Sequence, residues 1–192
     1  LCSLVVGLPA QLLLPDVFSH QMVLQRESPI PVWGTAKPYA EITVAINGEV
    51  LTTTADSIGN WRISLPAIFA GGPHVLSIVY GSASVQLKAI DVGEVWLCAG
   101  KSNMEWSLRK SVEGEAKISQ ADFPMIRLFH LKKRHDTYKT PYTLHELESF
   151  TAGQFFEQAS WESCRPRTVA DFSAVAYFFG KELFDSLRVP IG

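Results

Sequence analysis

The first half of the chain alternates apolar and polar residues with a period of two, the pattern of half-buried β-strands. Three such runs are Ile42-Val44-Ile46, Trp61-Ile63-Leu65 and Leu76-Ile78-Tyr80. Asn47-Gly48 follows the first run and is a strong hairpin signal, because both central positions of a type I′ turn require positive φ. Residues 12–92 are therefore predicted to form antiparallel strands of a small β-sandwich domain.

The pattern changes at Gly93. Val95–Cys98 is continuously apolar, which predicts a strand covered on both faces, with Cys98 as a buried thiol. A polar, helix-compatible stretch follows over residues 102–120, and residues 125–131 read as a second buried strand. Strands that alternate with helices indicate a parallel sheet, of which this chain contains only the first strands.

The last helix is predicted over residues 171–187, with Ser173 as its cap. Its predicted core-facing stripe is Val175, Phe179, Leu183 and Leu187. Residues 132–170 are polar and irregular, with two prolines and a glycine, and no element is predicted there. The fold class is thus α/β with an N-terminal all-β domain, and residues 93–192 begin the α/β part.

Composition excludes some classes of function. The 192 residues carry a formal net charge of −2 and show no basic stripe, so nucleic-acid binding is not expected. The three cysteines are scattered and form no C-x-x-C pair, so neither a disulfide framework nor a structural zinc site is predicted.

The N-terminal segment, residues 1–11, is apolar and lacks an initiator Met. It is shorter than the roughly 20 residues that a membrane-spanning helix requires. A signal-peptide remnant ending near Pro9-Ala10-Gln11 is the first interpretation, and a first β-strand is the alternative. No membrane span is predicted elsewhere in the chain.

Ser102 can be interpreted in two ways. Ser102 and Glu105 form the S-x-x-E pattern of a helix capping box, which is a structural role. A serine between a parallel strand and a helix also stands where α/β proteins place ligands, and a helix N-terminus stabilises an oxyanion. The surrounding residues match neither the G-x-S-x-G elbow nor a phosphate-binding P-loop.

Three segments together carry a resemblance to a known family. GEVWLCAGKSNMEWSL, residues 93–108, resembles the first motif block of the sialate O-acetylesterase family, a branch of the SGNH hydrolases. Residues 18–36 are similar to the opening β segment of that family, and residues 172–192 to the stretch before its second block. The resemblance implies a β domain followed by a parallel, three-layer SGNH-type α/β domain.

The resemblance also implies a chemistry. It makes Ser102 the acyl-accepting nucleophile of a carbohydrate-ester hydrolase that removes acetyl groups from sugar hydroxyls, without a metal or cofactor. Lys101 and Asn103 flank Ser102 and are expected to contact the acetylated carbohydrate substrate. Lys101 stands where the family has glutamine and Ala99 where it has serine, so the preferred substrate is less well defined than the reaction. A secreted or periplasmic location is expected.

The partners of the serine are missing from the sequence. The family pattern implies an Asp-x-x-His, and none occurs here. None of the five histidines has a suitable context: His20, His74, His130, His135 and His145. The chain is therefore expected to be the N-terminal part of a longer enzyme, with little activity alone.

A binding module is the rival hypothesis. In that case the β domain holds carbohydrate without catalysis, and Ser102 is only a cap. Exposed Trp33, Trp61 or Trp106 would then stack on sugar rings, whereas core packing is the structural alternative for each.

Overall fold

The computed structural model describes residues 12–135, 141–152 and 154–192. The predicted signal remnant over residues 1–11 lies outside the described residues. The fold contains both helices and strands, and its largest sheet is mixed. Within the described residues, no helix is long and apolar enough to cross a membrane.

Seven strands precede residue 94 and form two sheets. They are β1 (Val23–Gln25), β2 (Ile30–Thr35), β3 (Glu41–Ile46), β4 (Glu49–Thr54), β5 (Asn60–Leu65), β6 (Gly71–Tyr80) and β7 (Ala83–Gly93). The larger sheet has the order β1-β7-β6-β3-β4, and β2 pairs with β5 in a smaller one. One prediction is corrected here: β1 runs parallel to β7, so this region is not purely antiparallel. Two segments far apart in sequence can pair in either direction, which the local pattern does not specify.

The alternating runs place their apolar residues in one core. Ile42, Val44 and Ile46 are fully buried, as predicted, and they pack together with residues of both sheets. The predicted hairpin at Asn47-Gly48 is also confirmed, with φ of 52° and 81° at its two residues.

Four helices and two strands follow. They are α1 (Gly114–Ser119), β8 (Phe123–Phe129), α2 (Leu144–Thr151), β9 (Trp161–Cys164), α3 (Pro166–Val169) and α4 (Ala174–Leu187). A 3₁₀ turn spans Leu108–Lys110. Helix α2, strand β9 and helix α3 lie in the stretch for which no element was predicted. Their signals are short, and the partner of β9 is the distant strand β8.

The structure confirms the predicted cap of helix α4 but not the predicted set of core-facing residues. The Ser173 hydroxyl accepts a hydrogen bond from the Ala176 N–H at 3.3 Å. Val175, Phe179 and Leu187 are each 40% or more exposed. The buried residues are instead Ala174, Ala176, Tyr177 and Gly180. The small residues among these let the helix pack closely against Ile191. Because apolar residues lie on several sides of the helix, the sequence does not indicate which side faces the core.

One ion pair joins the early strands to the later elements. The Arg127 guanidinium donates to Asp91 Oδ2 at 2.9 Å, to Gln21 Oε1 at 2.8 Å and to Ser163 Oγ at 2.7 Å. The two charged side chains are only 11% and 12% exposed. This network attaches β8 and β9 to β7.

Candidate active site

The segment before Ser102 pairs in parallel with the C-terminal residues. Glu94 N–H donates to Pro190 O at 2.9 Å, and Trp96 N–H donates to Gly192 O at 3.0 Å. On its other side, Ile191 pairs in parallel with Ile126 of β8. The expected parallel arrangement is thus present, although it is short.

The predicted strand over Val95–Cys98 is wrong. These residues lie beyond the end of β7 outside any strand, and Leu97 is 90% exposed. Cys98 is exposed rather than a buried thiol. Among the described residues, only Trp96 of this run has a ring partner, Phe179 at 5.2 Å between centroids. The apolar run predicted a strand buried on both faces, but no layer of the described residues packs over it.

Ser102 lies in a series of tight turns. Met104 N–H donates to Lys101 O at 2.9 Å, Glu105 N–H to Ser102 O at 3.2 Å, and Trp106 N–H to Asn103 O at 3.2 Å. Bonds between residues three apart are those of a 3₁₀ turn, so a continuous helix over residues 102–120 is wrong.

The capping box predicted for this turn does not form. The Glu105 N–H bonds to the Ser102 carbonyl, and the Glu105 carboxylate forms an ion pair with Lys133. A salt bridge across the fold competes here with the local contact, and only the tertiary structure brings Lys133 within reach.

The start of α4 holds the turn in place. Ser173 Oγ donates to Met104 Sδ at 3.3 Å, and Ala174 N–H donates to Trp106 O at 2.8 Å. The Leu108 N–H bonds to Phe172 O at 2.9 Å, and the Leu108 side chain is fully buried. The serine therefore stands on an anchored turn.

Lys101, Ser102 and Asn103 are consecutive and are all exposed on this turn. Within the part of the chain that the structure describes, the Ser102 hydroxyl makes no hydrogen bond. The backbone N–H groups of Ser102 and Asn103 likewise have no acceptor among the described residues. An exposed hydroxyl can act as a nucleophile, and two N–H groups without an acceptor can form part of an oxyanion hole.

His130 follows β8 and is partly buried. Its ring packs against Phe172 with centroids 5.4 Å apart. Burial lowers its pKa and nearby Lys132 lowers it further, while Asp171 opposes the shift. Of the histidines that the structure describes, none hydrogen-bonds to Ser102.

A serine, a histidine and a glutamate do meet elsewhere. His135 Nε2 lies 3.1 Å from Ser149 Oγ, and its Nδ1 lies 3.9 Å from Glu146 Oε1. No suitable context was found for His135 in the sequence, and this contact was missed, although Thr143 and Glu146 show the capping-box pattern that begins α2. Ser149 is only 5% exposed and its hydroxyl also reaches Gln154 O at 3.3 Å, so the cluster fixes α2 rather than presenting a nucleophile.

The three tryptophans of the rival hypothesis separate clearly. Trp61 is 3% exposed and packs in the core, whereas Trp33 and Trp106 are 40% and 54% exposed. Lys110 Nζ lies 5.8 Å from the Trp106 ring centroid. The described residues contain no group of three His, Cys, Asp or Glu side chains that could hold a metal ion.

Comparison with known proteins supports the resemblance. No protein-family model matches the chain. The mouse protein Sialate O-acetylesterase is 28% identical over 190 residues, and the human one is 26% identical over 187 residues. These matches cover 90% and 91% of this chain, which spans about a third of each relative's length.

A solved structure agrees with the curated relatives. A carbohydrate acetylesterase from Xanthomonas citri superposes with a TM-score of 0.79 at 35% sequence identity. The match covers 95% of this chain and 39% of that protein. The resemblance to the esterases, predicted from three motifs, is confirmed. Over about nine tenths of its length, this chain is similar to the sialate O-acetylesterases.

Proposed function

We propose that this chain carries the nucleophile of a carbohydrate-ester hydrolase that removes acetyl groups from sugar hydroxyls. The observation that carries the proposal is the Ser102 turn, which presents an exposed hydroxyl beside two unengaged backbone N–H groups. The relatives named for sialate and carbohydrate acetyl esters support the substrate class.

In the proposed reaction, Ser102 Oγ attacks the acetyl carbonyl and loses its proton to a general base. The N–H groups of Ser102 and Asn103 donate to the oxyanion that forms. The C–O bond to the sugar then breaks, the sugar oxygen takes the proton, and the acetyl group remains on Ser102. Water hydrolyses this acyl-enzyme and releases acetate.

The base is assigned to a part of the protein outside this chain. The described histidines do not contact Ser102, and the chain matches about a third of the relatives' length. Lys101 is exposed beside the nucleophile and is proposed to influence the choice of acyl or sugar group through its charge. Asn103 is proposed to contact the sugar.

The architecture proposed for this function has two parts. Residues 12–92 form a β-sandwich domain, and residues 93–192 begin a three-layer SGNH-type α/β domain whose remaining strands lie outside the chain. The described helices all follow residue 93, and this placement, with the parallel pairing around Ile191, supports the division. We also propose a secreted or periplasmic location, where acetylated carbohydrates would be met.

The test measures hydrolysis of an acetylated sugar by the longer protein and its variants. Ser102→Ala should reduce kcat by at least about 10³-fold, because the nucleophile is removed. Ser107→Ala is the matched control, a serine five positions along the same segment, and should retain activity. Lys101→Gln should change KM or substrate preference more than it changes kcat.

The 192-residue chain alone should hydrolyse the ester little faster than its own Ser102→Ala variant. Equal activity of the longer protein and its Ser102→Ala variant would overturn the assignment of the nucleophile. Rapid turnover by the short chain, lost in Ser102→Ala, would instead place a base within these residues, with His130 the first to examine.

A further inference from the structure

A second cleft lies on the early strands, away from Ser102. It has a volume of about 770 Å³ and lies over the outward face of the β2–β5 pair. We propose that this cleft, here called the Trp33 cleft, binds a sugar that carries a carboxylate, without catalysis. The proposal goes beyond the esterase reaction and does not depend on Ser102.

Strand register places the groups of the Trp33 cleft side by side. In the β2–β5 pair, Trp33 stands opposite Arg62 and Thr35 opposite Asn60. All four residues are exposed, and alternate residues of both strands point into the core. An aromatic ring, a guanidinium, a hydroxyl and an amide therefore share one face.

Trp33 is a firmly held platform. Its indole is 40% exposed, and it meets the buried Phe18 ring in a T-shaped contact with centroids 4.6 Å apart. Holding the indole from one side lowers the entropy lost when a ligand packs on it. The apolar face of a sugar ring is a suitable ligand for an exposed indole of this kind.

Arg62 gives the cleft its charge preference. Among the described residues, no carboxylate forms an ion pair with its guanidinium. The nearby acid, Asp56, is engaged in its own turn, where Oδ1 accepts from Asn60 N–H at 2.8 Å and Ile58 N–H at 3.0 Å. A ligand carboxylate would supply Arg62 with the paired, charge-assisted hydrogen bonds that guanidinium groups form well.

Trp61 does not share this outward face. Its side chain lies on the core side of β5, is 3% exposed, and has no accessible indole N–H. Trp33 and Arg62 therefore provide the main contacts of the cleft, with Thr35 and Asn60 beside them.

The test is an NMR titration of the ¹⁵N-labelled chain carrying Ser102→Ala, so that no substrate is consumed. The probes are the methyl α-glycoside of N-acetylneuraminic acid, which is acidic, and methyl β-galactoside, which is neutral. Single Trp→Phe variants assign the five indole N–H signals. We expect the acidic probe to shift the indole N–H signal of Trp33, and the neutral probe to bind more weakly.

Variants separate this cleft from any binding near Ser102. Trp33→Ala should weaken binding of the acidic probe about tenfold, from the loss of the ring contact. Arg62→Met should lower its affinity to that of the neutral probe. Phe69→Ala, which removes an aromatic ring that is 81% exposed outside the cleft, should leave the affinity unchanged.

Dispersed backbone amide signals establish that each variant is folded before its affinity is compared. Binding that shifts signals near Ser102 but not the Trp33 indole signal would overturn the proposal. Equal affinity for the two probes would overturn the assignment of an acidic sugar. Neither result would bear on the esterase, because the nucleophile is absent from the protein tested.

Discussion

Replacing Arg127 tests how the later elements are attached to the early strands. The Arg127→Met substitution replaces the apolar stem of the side chain with one of similar size and removes the charged guanidinium. It leaves Asp91, 12% exposed, as a buried carboxylate without its cation, and it removes donors from Gln21 and Ser163. The variant should therefore lose more stability than the removal of a surface charge would cost.

The size of the loss follows from the contacts. Three hydrogen bonds of 2.7–2.9 Å involve the charged guanidinium, and each such bond contributes about 1.5–3 kcal/mol before overlap is considered. Removal of one partner of a buried ion pair typically costs about 3–5 kcal/mol, and we expect Arg127→Met to fall in that range.

Urea unfolding, followed by tryptophan fluorescence, measures the effect. With a slope of about 2 kcal/mol per molar urea, a loss of about 4 kcal/mol moves the midpoint by roughly 2 M. The matched control is Arg109→Met, because Arg109 pairs with Asp171 at 3.6 Å but both side chains are more than half exposed. That change should cost about 0.5 kcal/mol or less.

A double variant distinguishes stability lost through the unpaired charge of Asp91 from stability lost through disturbed packing. Asp91→Asn added to Arg127→Met removes the stranded charge, so the double variant should be more stable than Arg127→Met alone. Arg127 Nε has no partner in the described residues, so the pair is incompletely satisfied and neutral replacement is tolerable. The reasoning fails if Arg127→Met unfolds at the same urea concentration as Arg109→Met, or if Asp91→Asn deepens the loss.

Two further predictions concern titrating groups. Burial raises the pKa of Cys164 to about 12, with Asp122 adding to the effect, so iodoacetamide near pH 8 should alkylate exposed Cys98 and spare Cys164 until the chain is unfolded. Peptide mass spectrometry checks this, and labelling of Cys164 in the folded chain would contradict it. Because burial lowers the pKa of His130, the unfolded chain binds more protons than the folded one between that lowered pKa and about 6.5, so the free energy of unfolding should fall as the pH drops through this window. The fall between about pH 7.5 and pH 5 should be smaller in His130→Gln, and an unchanged pH dependence would show that His130 is not its source.

Elements with a local signal were predictable from the order of the amino acids. Period-two alternation identified the strands and the buried face of Ile42, Val44 and Ile46, and Asn47-Gly48 identified their hairpin. The cap of α4 at Ser173 was equally local. The similarity to the esterases was predicted from three motifs in the expected order, and the comparisons confirm it. Such features depend on backbone conformation over a few residues, so a single chain segment contains the information.

Features that depend on distant partners could be recognised only in the folded protein. The apolar run Val95–Cys98 predicted a covered strand, but covering requires a neighbouring layer, which the described residues do not provide. Ser102 was expected to begin a helix with Glu105 as its capping partner. Lys133 takes that carboxylate instead. The residues of α4 that face the core were set by the close approach of Ile191.

The two candidate sites differ in the same way. The residues of the Ser102 site were predictable from their motif because they are consecutive, but the turn that they form was not. The Trp33 cleft was not, since Trp33 and Arg62 are 29 positions apart and meet only through the register of β2 with β5. Pairing register is set by the burial of whole strands in a common core, and it brings together outward-facing groups that no local pattern connects.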